Sequence, residues 1–136
     1  MWQRMILTCC AVMMLTACAA PGMRDAGLDK LAPRKAEQDL SAGMRAYEDG
    51  DYKGAPKLLQ SALDAGLLVN ADKIAAHKYL AFVHCAQGRD KLCRDEFRKM
   101  LELDPKSELT PAEAGHPTWG TVFKNVKTEM AKKPQK

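Results

Sequence analysis

The residues able to do chemistry in this 136-residue chain are few: five cysteines, three histidines and charges of both signs. Cys9 and Cys10 lie inside an apolar run near the start, Cys18 follows it, and Cys85 and Cys93 stand eight residues apart. That spacing puts the last two on either side of one helix–helix turn, where sulfurs can bond if their Cα atoms come within about 7 Å. In an oxidising compartment the pair makes a disulfide; the alternative is two thiols filling a tight helical seam. His77 and His84 share a helix face, but seven residues make two turns, too far apart for one ion. No third ligand or C-x-x-C spacing joins them, and both read as structural. There is no G-x-S-x-G, no phosphate-cradling glycine loop and no paired-carboxylate or Cys-His arrangement. The expectation is no catalysis, no metal and no cofactor.

What positions these residues begins with an address. Met5 to Ala17 form an apolar run of thirteen residues preceded by Arg4. Thirteen helical residues cover roughly 20 Å against a hydrocarbon core of ~30 Å, so the run is a secretory signal rather than a span. Leu15-Thr16-Ala17-Cys18 resembles the bacterial lipobox. The resemblance implies cleavage before Cys18, diacylglycerol on its sulfur and an acyl chain on its amine. Ala19, where the family's inner-membrane retention signal commonly places Asp, implies an outer-membrane anchor facing the periplasm. Acyl chains at about 0.8 kcal/mol per buried CH₂ would hold such a domain almost permanently. A plain signal peptide cut near Ala17 or Ala20 would instead leave Cys18 an ordinary thiol.

Composition narrows the rest. Hydrophobic residues make up 46% and charged ones 28%, which excludes a wholly disordered chain and a multi-span membrane protein. The formal charge of +4 is spread among mixed signs, so no phosphate-tracking stripe and no nucleic-acid partner is indicated. Only 6% aromatic content with frequent Ala, Leu and Lys favours helix over strand. The expected organisation is a signal peptide at 1–17 and the lipidated cysteine with a flexible Ala/Gly/Pro tether at 18–33. A helical domain then occupies 34–132, with a cap helix at 117–132, and 133–136 is a short tail.

Inside that domain the text repeats. Gly43, Tyr47, Gly50, Asp51, Tyr52, Ala55, Leu59 and Ala62 follow the pattern G-x-x-x-Y-x-x-G-D-Y-x-x-A-x-x-x-L-x-x-A. This resembles the tetratricopeptide repeat, a helical hairpin of about 34 residues. Small residues at fixed places let two helices approach to about 8–10 Å, and Tyr52 is expected to fill the wedge at the turn. Ala81, Gly88, Cys93, Phe97 and Leu103-Asp104-Pro105 form a weaker second copy. The first unit is about four residues longer, and Gly66-Leu67-Leu68-Val69-Asn70 reads as an apolar bend packed on the hairpin. The fold expected is all-α: about two tetratricopeptide-like hairpins and a capping helix.

Trp119, Val122, Phe123, Val126 and Met130 make the apolar stripe of that cap. Thr110, Pro111 and Glu113 look like a capping box opening a short helical turn before it. His116 and Trp119 have two readings, a core plug led by Trp119 or a recognition surface. The lipobox, the Cys-containing second hairpin, Leu-Asp-Pro and Ala114-Gly115-His116-Pro117-Thr118-Trp119-Gly120 together resemble small accessory lipoproteins of bacterial type VI secretion clusters. That resemblance implies a membrane-tethered periplasmic adaptor whose partner is a peptide segment or a secretion-system component. Repeat hairpins present their first helices along a concave face, which here would carry Leu40, Met44, Tyr47, Lys78 and Phe82, with Met44 and Phe82 alternatively read as core. The alternative is a structural or assembly role for another envelope complex through the outer or cap surface.

Overall fold

The computed structural model describes residues 34–132. The expected signal peptide, lipidated Cys18, tether and tail lie outside the described residues. Six helices account for the described chain, and no strand occurs among them. They are α1 (Lys35–Glu48), α2 (Ala55–Ala65), α3 (Asn70–Ala86), α4 (Asp90–Leu103), α5 (Pro111–Ala114) and α6 (Gly120–Lys132). The fold is an all-α array: α1 pairs with α2, α3 with α4, and α6 lies on α4. The first helices of the two hairpins, α1 and α3, also touch, as does α2 with α3.

The hairpins close where side chains are smallest. Gly43 of α1 faces α2 so closely that a Cβ there would stand 2.8 Å from Leu59 Cγ and 3.0 Å from Leu59 N. Ala55, Leu59 and Ala62 are wholly buried on the α2 side, and Ala81, Cys93 and Phe97 are wholly buried in the second hairpin. The turns after α1 and α3 lie at one pole, joined by a 2.8 Å hydrogen bond from Gln87 Nε2 to the Tyr52 carbonyl. Arg34, the 66–69 bend and the chain leaving α4 lie at the other, because consecutive helices alternate in direction. Ser61 Oγ donating to Asp39 Oδ2 at 2.6 Å marks that second end between α1 and α2.

Two buried clusters result. Ala36, Leu40, Leu59, Ala62, Leu67, Ala76 and Leu80 make one, entirely aliphatic. The other is built on rings, with Phe82, Phe97, Trp119 and Phe123 beside Cys85, Cys93, Met100 and Leu101.

Three details differ from the expectation. The cap helix begins at Gly120 rather than Pro117, because residues 117–119 turn and Trp119 drops into the core before the helix starts. The 66–70 bend packs through Leu67 alone, leaving Leu68 and Val69 exposed. Tyr52 lies at the surface, 39% exposed, instead of filling the turn's wedge. Among the described residues no helix is long and apolar enough to cross a membrane.

Candidate partner-binding face

The five expected groove residues come from the two helices that the fold sets side by side. Tyr47 of α1 is the hub: its ring is 5.7 Å from Tyr52, 5.1 Å edge-on from Tyr79 and 6.1 Å from Phe82. Tyr47 and Tyr79 are half-buried, and Met44 lies one turn back along α1, packed against the aliphatic cluster. Burial pushes the Tyr47 hydroxyl up to about 12, helped by the neighbouring Tyr52, Tyr79 and Glu113. Burial raises Tyr79 as well. Both phenols stay neutral and can donate or accept hydrogen bonds at any physiological pH.

Phe82 and Leu40 do not belong to the face. Phe82 is buried, stacked on Trp119 with centroids 4.6 Å apart and packed edge-on against Phe97 at 6.1 Å. The chain's own C-terminal segment folds back over α3 and takes the space a ligand was expected to occupy. Leu40 is buried in the aliphatic cluster, since its side of α1 meets α2 and the 66–69 bend.

Lys78 is held rather than free. Its Nζ lies 2.8 Å from Glu113 Oε1 and 5.4 Å from the centre of the Tyr79 ring. The other Glu113 oxygen accepts from the Thr110 backbone N–H at 2.9 Å, while Thr110 Oγ1 accepts from Glu113 N. One carboxylate therefore caps the four-residue α5 and fastens it to α3 at the rim of the face. Partial burial works to raise the Glu113 pKa, but the Lys78 and Thr110 bonds outweigh it and the carboxyl sits below its ordinary value. The capping box was legible in sequence; its reach to Lys78, 35 residues away, carried no local signal.

His116 and Trp119 resolve into a plug and its cover. Their rings lie parallel with centroids 3.4 Å apart, and His116 Nδ1 accepts from the Thr118 N–H at 3.1 Å. Trp119 is buried, so it is not a recognition surface; the indole N–H finds no partner among the described residues. Gly120 explains the sharp entry to α6: a Cβ there would stand 2.1 Å from the Ala114 carbonyl oxygen.

No family model, curated protein or solved structure matches this chain.

Away from the face, Cys85 and Cys93 form a disulfide across the α3–α4 turn, with Cα atoms 5.1 Å apart. His77 Nδ1 lies 2.6 Å from Glu96 Oε2, whose other oxygen takes a 2.7 Å bond from Lys99. Burial pushes the Glu96 pKa up, yet the His77 and Lys99 hydrogen bonds prevail and hold it below the ordinary value. No group of three or more metal-ligating side chains occurs among the described residues. The half-exposed chemistry of the domain is thus phenolic and apolar: Tyr47, Tyr52 and Tyr79, bordered by Met44 and the Lys78–Glu113 pair.

Proposed function

We propose that this chain is a non-catalytic adaptor, tethered to the outer membrane through Cys18 and facing the periplasm, that captures a protein segment on its tyrosine face. The observation that carries this reading is the three-ring cluster around Tyr47, left partly open while Phe82, Phe97, Trp119 and Phe123 are buried. Tyrosines concentrate binding energy because they combine large apolar area, few rotatable bonds and a hydroxyl. An extended or helical segment with apolar side chains fits a face of this kind. The resemblance to accessory lipoproteins of type VI secretion clusters makes a component of that system the partner to test first.

The test is site-specific photocrosslinking in cells, with a photoreactive residue at Tyr52 or at His116. Adaptor function by this face gives an adduct at Tyr52 that Tyr47→Ala diminishes while circular dichroism and Tm stay near wild type. Adducts at His116 alone would favour the assembly role through the cap. Undiminished adducts in the Tyr47→Ala, Tyr79→Ala double variant would remove the face from consideration.

A further inference from the structure

From the 66–69 bend we infer a second membrane contact, in which the Leu68 and Val69 side chains enter the lipid headgroup region of the bilayer that anchors the chain. The inference rests on the lipoprotein reading. Leu68 is 74% and Val69 55% exposed, two of the domain's four large exposed hydrophobics and the only adjacent two among the described residues. Their neighbour Leu67 is buried against Ala36, Leu40 and Ala62, so the bend is clamped at its base and displays the next two side chains outward. Isolated exposed leucines are ordinary surface features, but an adjacent branched pair on a clamped loop tip is a small insertion wedge.

Position selects the bilayer as occupant. The chain enters the domain at Arg34, two residues before Ala36, which shares a buried cluster with Leu67. The bend and the point of attachment are therefore at the same pole. Fifteen residues, 19–33, separate Arg34 from the lipid cysteine, a reach of at most about 55 Å. The opposite pole is farther by the length of α3, whose 17 residues measure roughly 25 Å. Lys106 is exposed at the near pole, as is Lys35, whose ammonium is paired with Asp39, so the Lys106 amine can meet a lipid phosphate while the aliphatic pair enters below it. Leu92, 43% exposed in the first turn of α4, lies at the far pole and supplies an internal control.

The experiment uses the full chain, purified with its native acyl groups and reconstituted into phosphatidylethanolamine–phosphatidylglycerol vesicles. Leu68→Cys or Leu92→Cys carries an environment-sensitive fluorophore, and a second vesicle set contains a lipid-borne quencher. Expected are a blue shift and strong quenching at position 68, with neither at position 92. An acylated, vesicle-bound protein whose probe at 68 reports water overturns the contact and leaves the lipoprotein reading intact. A product found by mass spectrometry to lack fatty acid overturns both. Crosslinking from 68 to a second copy or another protein, with no quenching, assigns the bend to a protein partner and also overturns the inference.

Discussion

The two hairpins reach one geometry by different means. The first, α1 and α2, closes on Gly43, Ala55, Leu59 and Ala62, and its core has no buried ring. Its two tyrosines stay at or near the surface. The second, α3 and α4, has Ala81 in the place of Gly43, a disulfide at its turn and a stack of rings from Phe82 through Trp119. Rings placed inside stabilise; rings left half outside are available for a partner. The second hairpin and the cap thus bury most of the rings, while the half-exposed tyrosines of α1, its turn and α3 form the face proposed for a partner.

The sharpest way to break that contrast is to remove a ring. Phe97 is wholly buried and meets Phe82 at 6.1 Å and Phe123 edge-on at 5.2 Å. Phe97→Ala should cost about 3–5 kcal/mol, the transfer term plus an unfilled cavity. That is a large share of a stability of about 5–15 kcal/mol, so a shift of the urea midpoint is the readout. Tyr52→Ala, on the exposed edge, should leave the midpoint nearly unchanged. Equal losses at the two positions would erase the division of labour.

Next in size is the Cys85–Cys93 bond. Closing so short a loop removes unfolded-state entropy equivalent to about 2.5 kcal/mol. The Cys85→Ala, Cys93→Ala variant should unfold at correspondingly lower urea while far-ultraviolet circular dichroism keeps its helical form. Titration of the unreduced mature protein should find no free thiol from this pair; two would show that the seam holds cysteines, not a bond.

Gly43 and Ala81 test the equivalence of the two seams. Gly43→Ala gains about 1 kcal/mol of helix propensity. It also drives a methyl to 3.0 Å from the Leu59 backbone nitrogen, which cannot swing aside as a side chain end can. Overpacking of about 1–3 kcal/mol offsets or exceeds that gain, giving a net loss of up to about 2 kcal/mol. Ala81→Gly loses propensity and packing together, also about 1–2 kcal/mol. A stabilised Gly43→Ala would mean that the first hairpin opens easily at that seam.

How much of this was legible follows from the range over which each signal acts. Small residues at repeat spacing, the turn glycines, Cys85 with Cys93 and the Thr110–Glu113 cap are local signals, and they imply two helical hairpins and a short capped turn. The return path of the C-terminal segment is not local. Repeat register put Phe82 on the concave face, and only the fold reveals that Trp119 covers it. For the same reason the face expected from five residues retains Met44, Tyr47 and Lys78, gains Tyr52 and Tyr79, and loses Leu40 and Phe82. Leu68 was misplaced because an apolar residue in a bend reads as packed, whereas the clamp needed Leu67 alone.

The smallest effect expected is one of pH, and it also separates the hairpins. His84, in the last turn of α3, is pushed below its ordinary 6.5 chiefly by burial. Glu96 pulls its pKa upward and Arg89 and Lys99 press it down, and its Nδ1 has no partner among the described residues. The unfolded chain therefore takes up this proton first. Its contribution to stability is full above pH 6.5 and is lost as pH falls from there through the lower folded value. Glu96 and Glu113, held low by their hydrogen bonds, lose stability in the same direction but only below about 4.5. His84→Gln should flatten the fall in Tm between pH 6.5 and 5 while leaving the steeper carboxylate limb in place. The first hairpin contributes no histidine, so an unchanged slope in His84→Gln would mean that burial of this ring does not set the acid sensitivity.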